Sequence, residues 1–129
     1  MPFVPVVIPS GRYRKPECSY STRSRGGIEY ICLRFSPFLL EKLHWRRFNR
    51  IALAADWDSR RVALTEAERS NPDARALGHE GGRQLSLRLP RVGSLAELFP
   101  RSDTRQMVPV VEAEPGRLVL ALRNLSASN

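Results

Sequence analysis

The chain has 129 residues, 42% hydrophobic and 26% charged, which excludes a disordered polymer and suits one domain or two very small units sharing a core. Its 21 Lys and Arg against 13 Asp and Glu give a formal charge of +8, and only Lys15 and Lys42 are lysines, so its cations are guanidiniums shaped for phosphates and carboxylates. No apolar run approaches the roughly eighteen residues of a membrane span, and "MPFVPVVIP" is too short and too broken by proline for a signal peptide, so no membrane association and a cytoplasmic location are expected.

Residues 1–27 read as a basic, proline-rich arm. Pro2, Pro5, Pro9 and Pro16 favour extended backbone without ladder hydrogen bonds, "FVPVVI" suggests a docked edge strand, and "SYSTRSRGG" is polar and basic. Residues 1–50 carry ten basic and three acidic side chains, whereas the rest of the chain carries eleven and ten, so the excess charge is concentrated at this end. Cys18, expected to be exposed, and Cys32, expected to be a small buried hydrophobe, make neither a disulfide framework nor a metal set.

Residues 28–66 read as a first βαββ unit. "IEYICLRF" is rich in β-branched and aromatic residues and predicts a strand. Ser36 and Pro37 supply an N-cap and a first-turn proline for a helix of about two turns, with Leu39, Leu40 and Leu43 on one face. "RIALAADW", a turn at residues 56–59 and "RRVALTE" complete a hairpin. Residues 67–83, polar and containing "GHEGGR", read as a linker loop without the lysine of a phosphate-binding loop.

Residues 84–123 read as a second βαββ unit. Leu85, Leu87 and Leu89 alternate with Gln84, Ser86 and Arg88 in a half-buried strand. "SLAELFP" predicts a helix with Ser94 and Glu97 as a capping box, "MVPVVEA" an edge or bulged strand, and Pro115 with Gly116 a type II turn into "RLVLALR". Residues 124–129 are a tail. An offset of 58 lays "IALAADWDSRRVAL" on "PVVEAEPGRLVLAL", which suggests an internal repeat, and one such unit of about forty residues is too small to bury its own apolar faces. The expected fold is therefore mainly β with two short helices.

Catalytic chemistry is not expected. His44 and His79 lack metal-ligand spacing to other candidates, and Asp56 and Asp58 occupy a turn, where aspartate is favoured for backbone hydrogen bonding. Neither an enzyme, a cofactor nor a metal is indicated. Arg23 and Arg25 on the arm, with Arg46, Arg47 and Arg50 after the first helix, form a candidate phosphate-neutralising set; for Arg46, Arg47 and Arg50 the alternative is a solvated face that complements the helix dipole. Tyr13, Tyr20, Trp45 and Phe48 are candidate anchors for an acidic protein partner, with core packing as the alternative for Trp45 and Phe48.

The stretch "LRFSPFLLEKLHWRRFNRIALAADWDSRRVAL", with Ser36-Pro37 before the helix, Leu40 and Leu43 within it and Asn49 at the hairpin entrance, resembles the AbrB, MazE and SpoVT superfamily of swapped-hairpin DNA-binding proteins. It differs in having Asn49-Arg50 at the family's Gly-Asp turn and Arg25-Gly26-Gly27 before the first strand. The resemblance implies a small barrel of two interleaved βαββ units, supplied by two chains or, as in the MraZ branch, by a tandem repeat; a pseudo-twofold monomer and a homodimer both fit. It also implies DNA contacts at Arg25, Arg34, Arg46 and Arg47. The expected function is that of a non-enzymatic, regulator-like nucleic-acid-binding protein. The alternative is a phage or mobile-element accessory, virion-associated or inhibitor protein acting on an acidic or nucleoprotein partner in the host cytoplasm.

Overall fold

The computed structural model describes residues 3–6, 15–79, 85–123 and 125. Its fold is mainly β, with two short helices and two five-stranded antiparallel sheets. In chain order the elements are β1 (Cys18–Arg25), β2 (Ile28–Phe35), α1 (Pro37–Leu43), β3 (Arg50–Asp56), β4 (Arg61–Glu66), β5 (Arg75–Ala76) and β6 (Gly78–His79). There follow β7 (Leu85–Pro90), α2 (Ser94–Leu98), β8 (Gln106–Val108), β9 (Val110–Glu114) and β10 (Arg117–Ala121). The first sheet runs β6-β7-β2-β1-β8 and the second β5-β3-β4-β10-β9.

The arm expected over residues 1–27 gives way to a strand from Cys18 onward. Residues 3–6 are exposed and belong to no strand, and the remainder of the expected edge strand, with Arg12, Tyr13 and Arg14, lies outside the described residues. Residues 18–25 form an interior strand of the first sheet, paired with β2 on one side and β8 on the other. Gly26 and Gly27, at φ 60° and 79°, make the two-residue turn to β2; both central positions need positive φ, which glycine adopts at little steric cost. The serines and threonine of β1 are not there to solvate it. Thr22 accepts from and donates to the backbone of Ser102, and Tyr20 and Cys18 face the core. Cys18 is thus buried, not exposed, and its burial pushes the thiol pKa well up.

Helix α1 forms as its sequence dictates. The Ser36 hydroxyl accepts from the Leu39 N–H at 3.2 Å, Pro37 occupies the first turn, and Leu39 and Leu43 are buried. Helix α2 departs from expectation: its N-cap is Gly93 at φ 55°, no side chain caps it, and Ser94 and Glu97 form no capping box. Ser94 lies one position too far into the helix to cap it.

The linker at residues 67–83 also contains structure. β5 adds to the edge of the second sheet beside β3, and two residues on β6 adds to the edge of the first beside β7. Leu77 between them is fully buried. At the opposite edges β8 and β9 do the same around Pro109, whose missing N–H suits the break in the ladder. The chain therefore crosses between the sheets at both sides, although the two sheets are not closed into one barrel.

One core lies between them, drawing Tyr20, Ile31, Leu33 and Phe35 from the first sheet, Ile51, Val62, Leu64, Leu118 and Leu120 from the second, and Leu39, Leu43 and Leu98 from the helices. Both sheets join the two halves of the chain. Ile31 of β2 pairs with Leu89 of β7, Val62 of β4 pairs with Leu120 of β10, and in each pair the second residue stands 58 positions after the first.

Candidate nucleic-acid interface

The outer face of the first sheet, at its glycine-turn end, holds a hollow of about 170 Å³ lined by Arg23, Ser24, Arg25, Tyr30, Cys32 and Arg88. Strand register assembles it: Arg23 on β1 faces Tyr30 on β2, and Cys32, two residues on and therefore on the same face, pairs with Arg88 on β7. The Arg88 guanidinium lies 5.9 Å from the Tyr30 ring centre, within cation–π range, which holds it over the sheet. No carboxylate lines the hollow among the described residues. The neighbouring Glu29 is instead engaged by Arg91 at 3.1 Å, and its other oxygen lies 4.0 Å from Arg101. The strand pairing thus brings guanidinium forks, whose geometry suits an oxyanion, to one small concavity.

A second exposed basic feature follows α1. His44, at φ 58°, closes the helix: its N–H donates to the Glu41 carbonyl and the Trp45 N–H to the Leu40 carbonyl, the paired bonds of a Schellman-type cap. Trp45 then turns inward, 3% exposed, with its ring edge-on to Phe35 at 5.8 Å. The next four residues form a pinned turn. The Arg46 N–H donates to Asn49 Oδ1, the Asn49 N–H returns to the Arg46 carbonyl, and Phe48 and Asn49 exchange backbone hydrogen bonds with Leu77. Held this way, Phe48 sits at φ 73° with 68% of its surface exposed, and the Arg47 guanidinium lies 4.6 Å from its ring centre. A phenylalanine at positive φ is strained, so the Leu77 and Asn49 bonds are what keep it there.

The other expected contacts lie elsewhere. Arg34 is only 6% exposed and donates to Ser21 Oγ at 2.9 Å, so it is a buried sheet residue and not part of an exposed phosphate surface. Arg50 spends its guanidinium on the carbonyls of Asn71 and Ala74, tying the 67–74 loop to β3. Tyr20 is wholly buried, donates to the Pro100 carbonyl at 2.8 Å and packs edge-on against Phe99, which removes it as a surface anchor. Trp45 is removed by the same test, and of the described candidate anchors only Phe48 is exposed. Arg25 and Arg46 do not adjoin. They flank opposite ends of β2, whose seven residue steps span about 23 Å.

Arg88 was not among the residues singled out from sequence. Its alternation with Leu87 and Leu89 already placed it on the outer face; only the pairing of β7 with β2 brings it to Arg23 and Tyr30. Among the described residues, no group of three or more His, Cys, Asp or Glu side chains is placed to hold a metal ion, and no helix is long and apolar enough to cross a membrane. No protein-family model, curated protein or solved structure matches the chain.

Proposed function

We propose that the chain is a non-enzymatic nucleic-acid-binding protein, a regulator-like DNA binder of the cytoplasm that grips phosphates with the Arg23, Arg25 and Arg88 hollow. The observation that carries this reading is the hollow itself: Arg23, Arg25 and Arg88 line one concavity on the sheet, with the Arg88 guanidinium over the Tyr30 ring. The pinned 46–49 turn adds a second contact point, where Arg46 and Arg47 supply charge and Phe48 supplies a face for stacking. Two contact points some 20 Å apart suit a ligand that extends over several phosphates, spaced about 3.4 Å per strand residue along a duplex.

The finer architecture belongs to the same proposal: two βαββ units, residues 28–66 and 84–123, interleaved in the manner of a swapped-hairpin repeat. What supports it is the register, since the 58-residue offset of the hairpin sequences recurs in the Ile31–Leu89 pair of one sheet and the Val62–Leu120 pair of the other. One chain then supplies both units, and a monomer is the expected assembly.

The test is fluorescence anisotropy on mixed-sequence duplex DNA across a salt series. Affinity should fall steeply with salt, and the Arg25→Ala/Arg88→Ala chain should lose about one unit of log–log slope per arginine removed. Arg46→Ala/Arg47→Ala should reduce the slope independently. No binding at low salt, or an unchanged slope in both double variants, sinks the reading. The second reading, docking on an acidic protein, is favoured by the exposure of Phe48; capture of a protein partner that survives nuclease treatment and is lost in Phe48→Ala would support it over the first.

A further inference from the structure

The two helices meet the two hairpins unequally. α1 packs on β9, the first strand of the C-terminal hairpin, and the Gly116 N–H from that hairpin's turn closes on the Leu43 carbonyl. The corresponding strand of the other hairpin is β3, and there a cleft of about 440 Å³ separates it from α2. Leu53 and Ala55 line it from β3, Leu95 and Leu98 from α2, and Trp57, 45% exposed, stands at the hairpin tip. The 58-residue offset explains the difference. Ala55 corresponds to Ala113, which is half-buried on the strand that α1 packs against, yet Ala55 itself is exposed. Leu43, in the last turn of α1, corresponds to Arg101, which lies beyond the end of α2 at Leu98, past Pro100. The second half thus lacks the leucine-bearing turn that covers its counterpart.

The geometry points to a docking groove for a short amphipathic helix of a partner protein, one presenting leucines three or four residues apart, as α1 presents Leu39, Leu40 and Leu43. The fold's own packing of α1 on β9 is the template for the occupant's shape. Asp73 and Arg75, exposed residues that also line the cleft, complement a polar face carrying both signs, as α1 carries Glu41 and Lys42 in solvent. Such a segment buries its apolar side between β3 and α2 and leaves its charges at the rim. This inference is independent of the nucleic-acid reading, since the cleft shares no lining residue with the arginine hollow.

The test uses the full chain and a fluorescein-labelled, end-capped peptide of residues 36–46 as the probe, followed by anisotropy. The peptide is a marginal helix alone and orders on binding, so the affinity is modest. A saturable rise is expected, weakened at least tenfold in Ala55→Arg, an exposed position whose fold is checked by circular dichroism. A Leu40→Asp/Leu43→Asp peptide should not bind, and the Arg25→Ala/Arg88→Ala chain should bind the original peptide normally, which separates this site from the nucleic-acid surface. No saturable rise with the unmodified chain up to about 1 mM peptide overturns the inference, that concentration marking the weakest useful affinity. Equal binding to Ala55→Arg, or undiminished binding of the aspartate peptide, overturns it as well.

Discussion

Arg25 and Arg34 look alike in the sequence, each a cation beside β-forming residues, and the fold assigns them opposite places: Arg25 ends β1 in solvent, while Arg34 lies in the interior of the sheet against Ser21. Nothing in single-residue chemistry separates them, because burial depends on which strands pair on either side. Tyr20 shows the same limit more sharply. Set among serines, it reads as an exposed arm residue, yet β8 and the 99–102 segment cover it, and burial raises its pKa from the usual 10.0 to about 12, against a lowering by the Arg91 charge. The sign of the consequence follows from linkage. The folded state favours the neutral phenol, so this contribution to stability is fully present below about pH 10 and is lost as pH rises towards 12. Urea midpoints between pH 9 and pH 12 should therefore fall more steeply for the natural chain than for Tyr20→Phe, which lacks the titrating group; parallel curves would contradict the assignment.

At the scale of elements, the segments with a periodic apolar pattern were legible: β2, β3, β4, β7 and β10 coincide with runs of branched or alternating apolar residues, and α1 begins where Ser36 and Pro37 place it. The elements missed were those whose apolar content is low or whose length is short. β1 stays invisible because Ser19, Ser21, Arg23, Ser24 and Arg25 give it a polar sequence, although the first two are buried, and β5 and β6 because two residues carry no period. Ser36 shows how much a single well-read position controls. Its hydroxyl accepts from the Leu39 and Glu17 N–H groups and donates to the Lys15 carbonyl, so it caps α1 and fastens the chain entering β1 in one place. Ser36→Ala should cost about 1 to 2 kcal/mol of unfolding free energy, at the upper end of the range for an N-cap because two donors lose their acceptor. Ser94→Ala, by contrast, removes no side-chain cap and should change stability little. A denaturation series on the pair measures both, and equal losses would mean that the hydroxyl at residue 36 does no more than the one at residue 94.

At the scale of the molecule, the two halves of the chain are not two domains, because each sheet is completed only by strands from both. β2 has β1 on one side and β7 on the other, β4 lies between β3 and β10, and Leu87, Leu89, Leu98, Leu118, Leu120 and Leu122 of the C-terminal half belong to the same core as α1. The sequence offset of 58 aligns two stretches of the chain, and only the register shows that residues 58 apart pair with one another, at Ile31–Leu89 and Val62–Leu120. A structure joined in this way has no sub-global opening that frees one half while leaving the other intact, since separating them strips β2 and β4 of a ladder partner each. Hydrogen exchange should therefore report one free energy for the amides of Leu33, Leu87, Leu64 and Leu118, which sit in the four strands that join the halves and face one another in pairs. Raising urea should bring faster-exchanging edge amides, such as those of β9, onto the same line, while the four central amides keep a common slope. If Leu87 and Leu118 instead exchanged through an opening of lower energy than Leu33 and Leu64, the C-terminal half would detach by itself, and the shared core would not be the unit of stability.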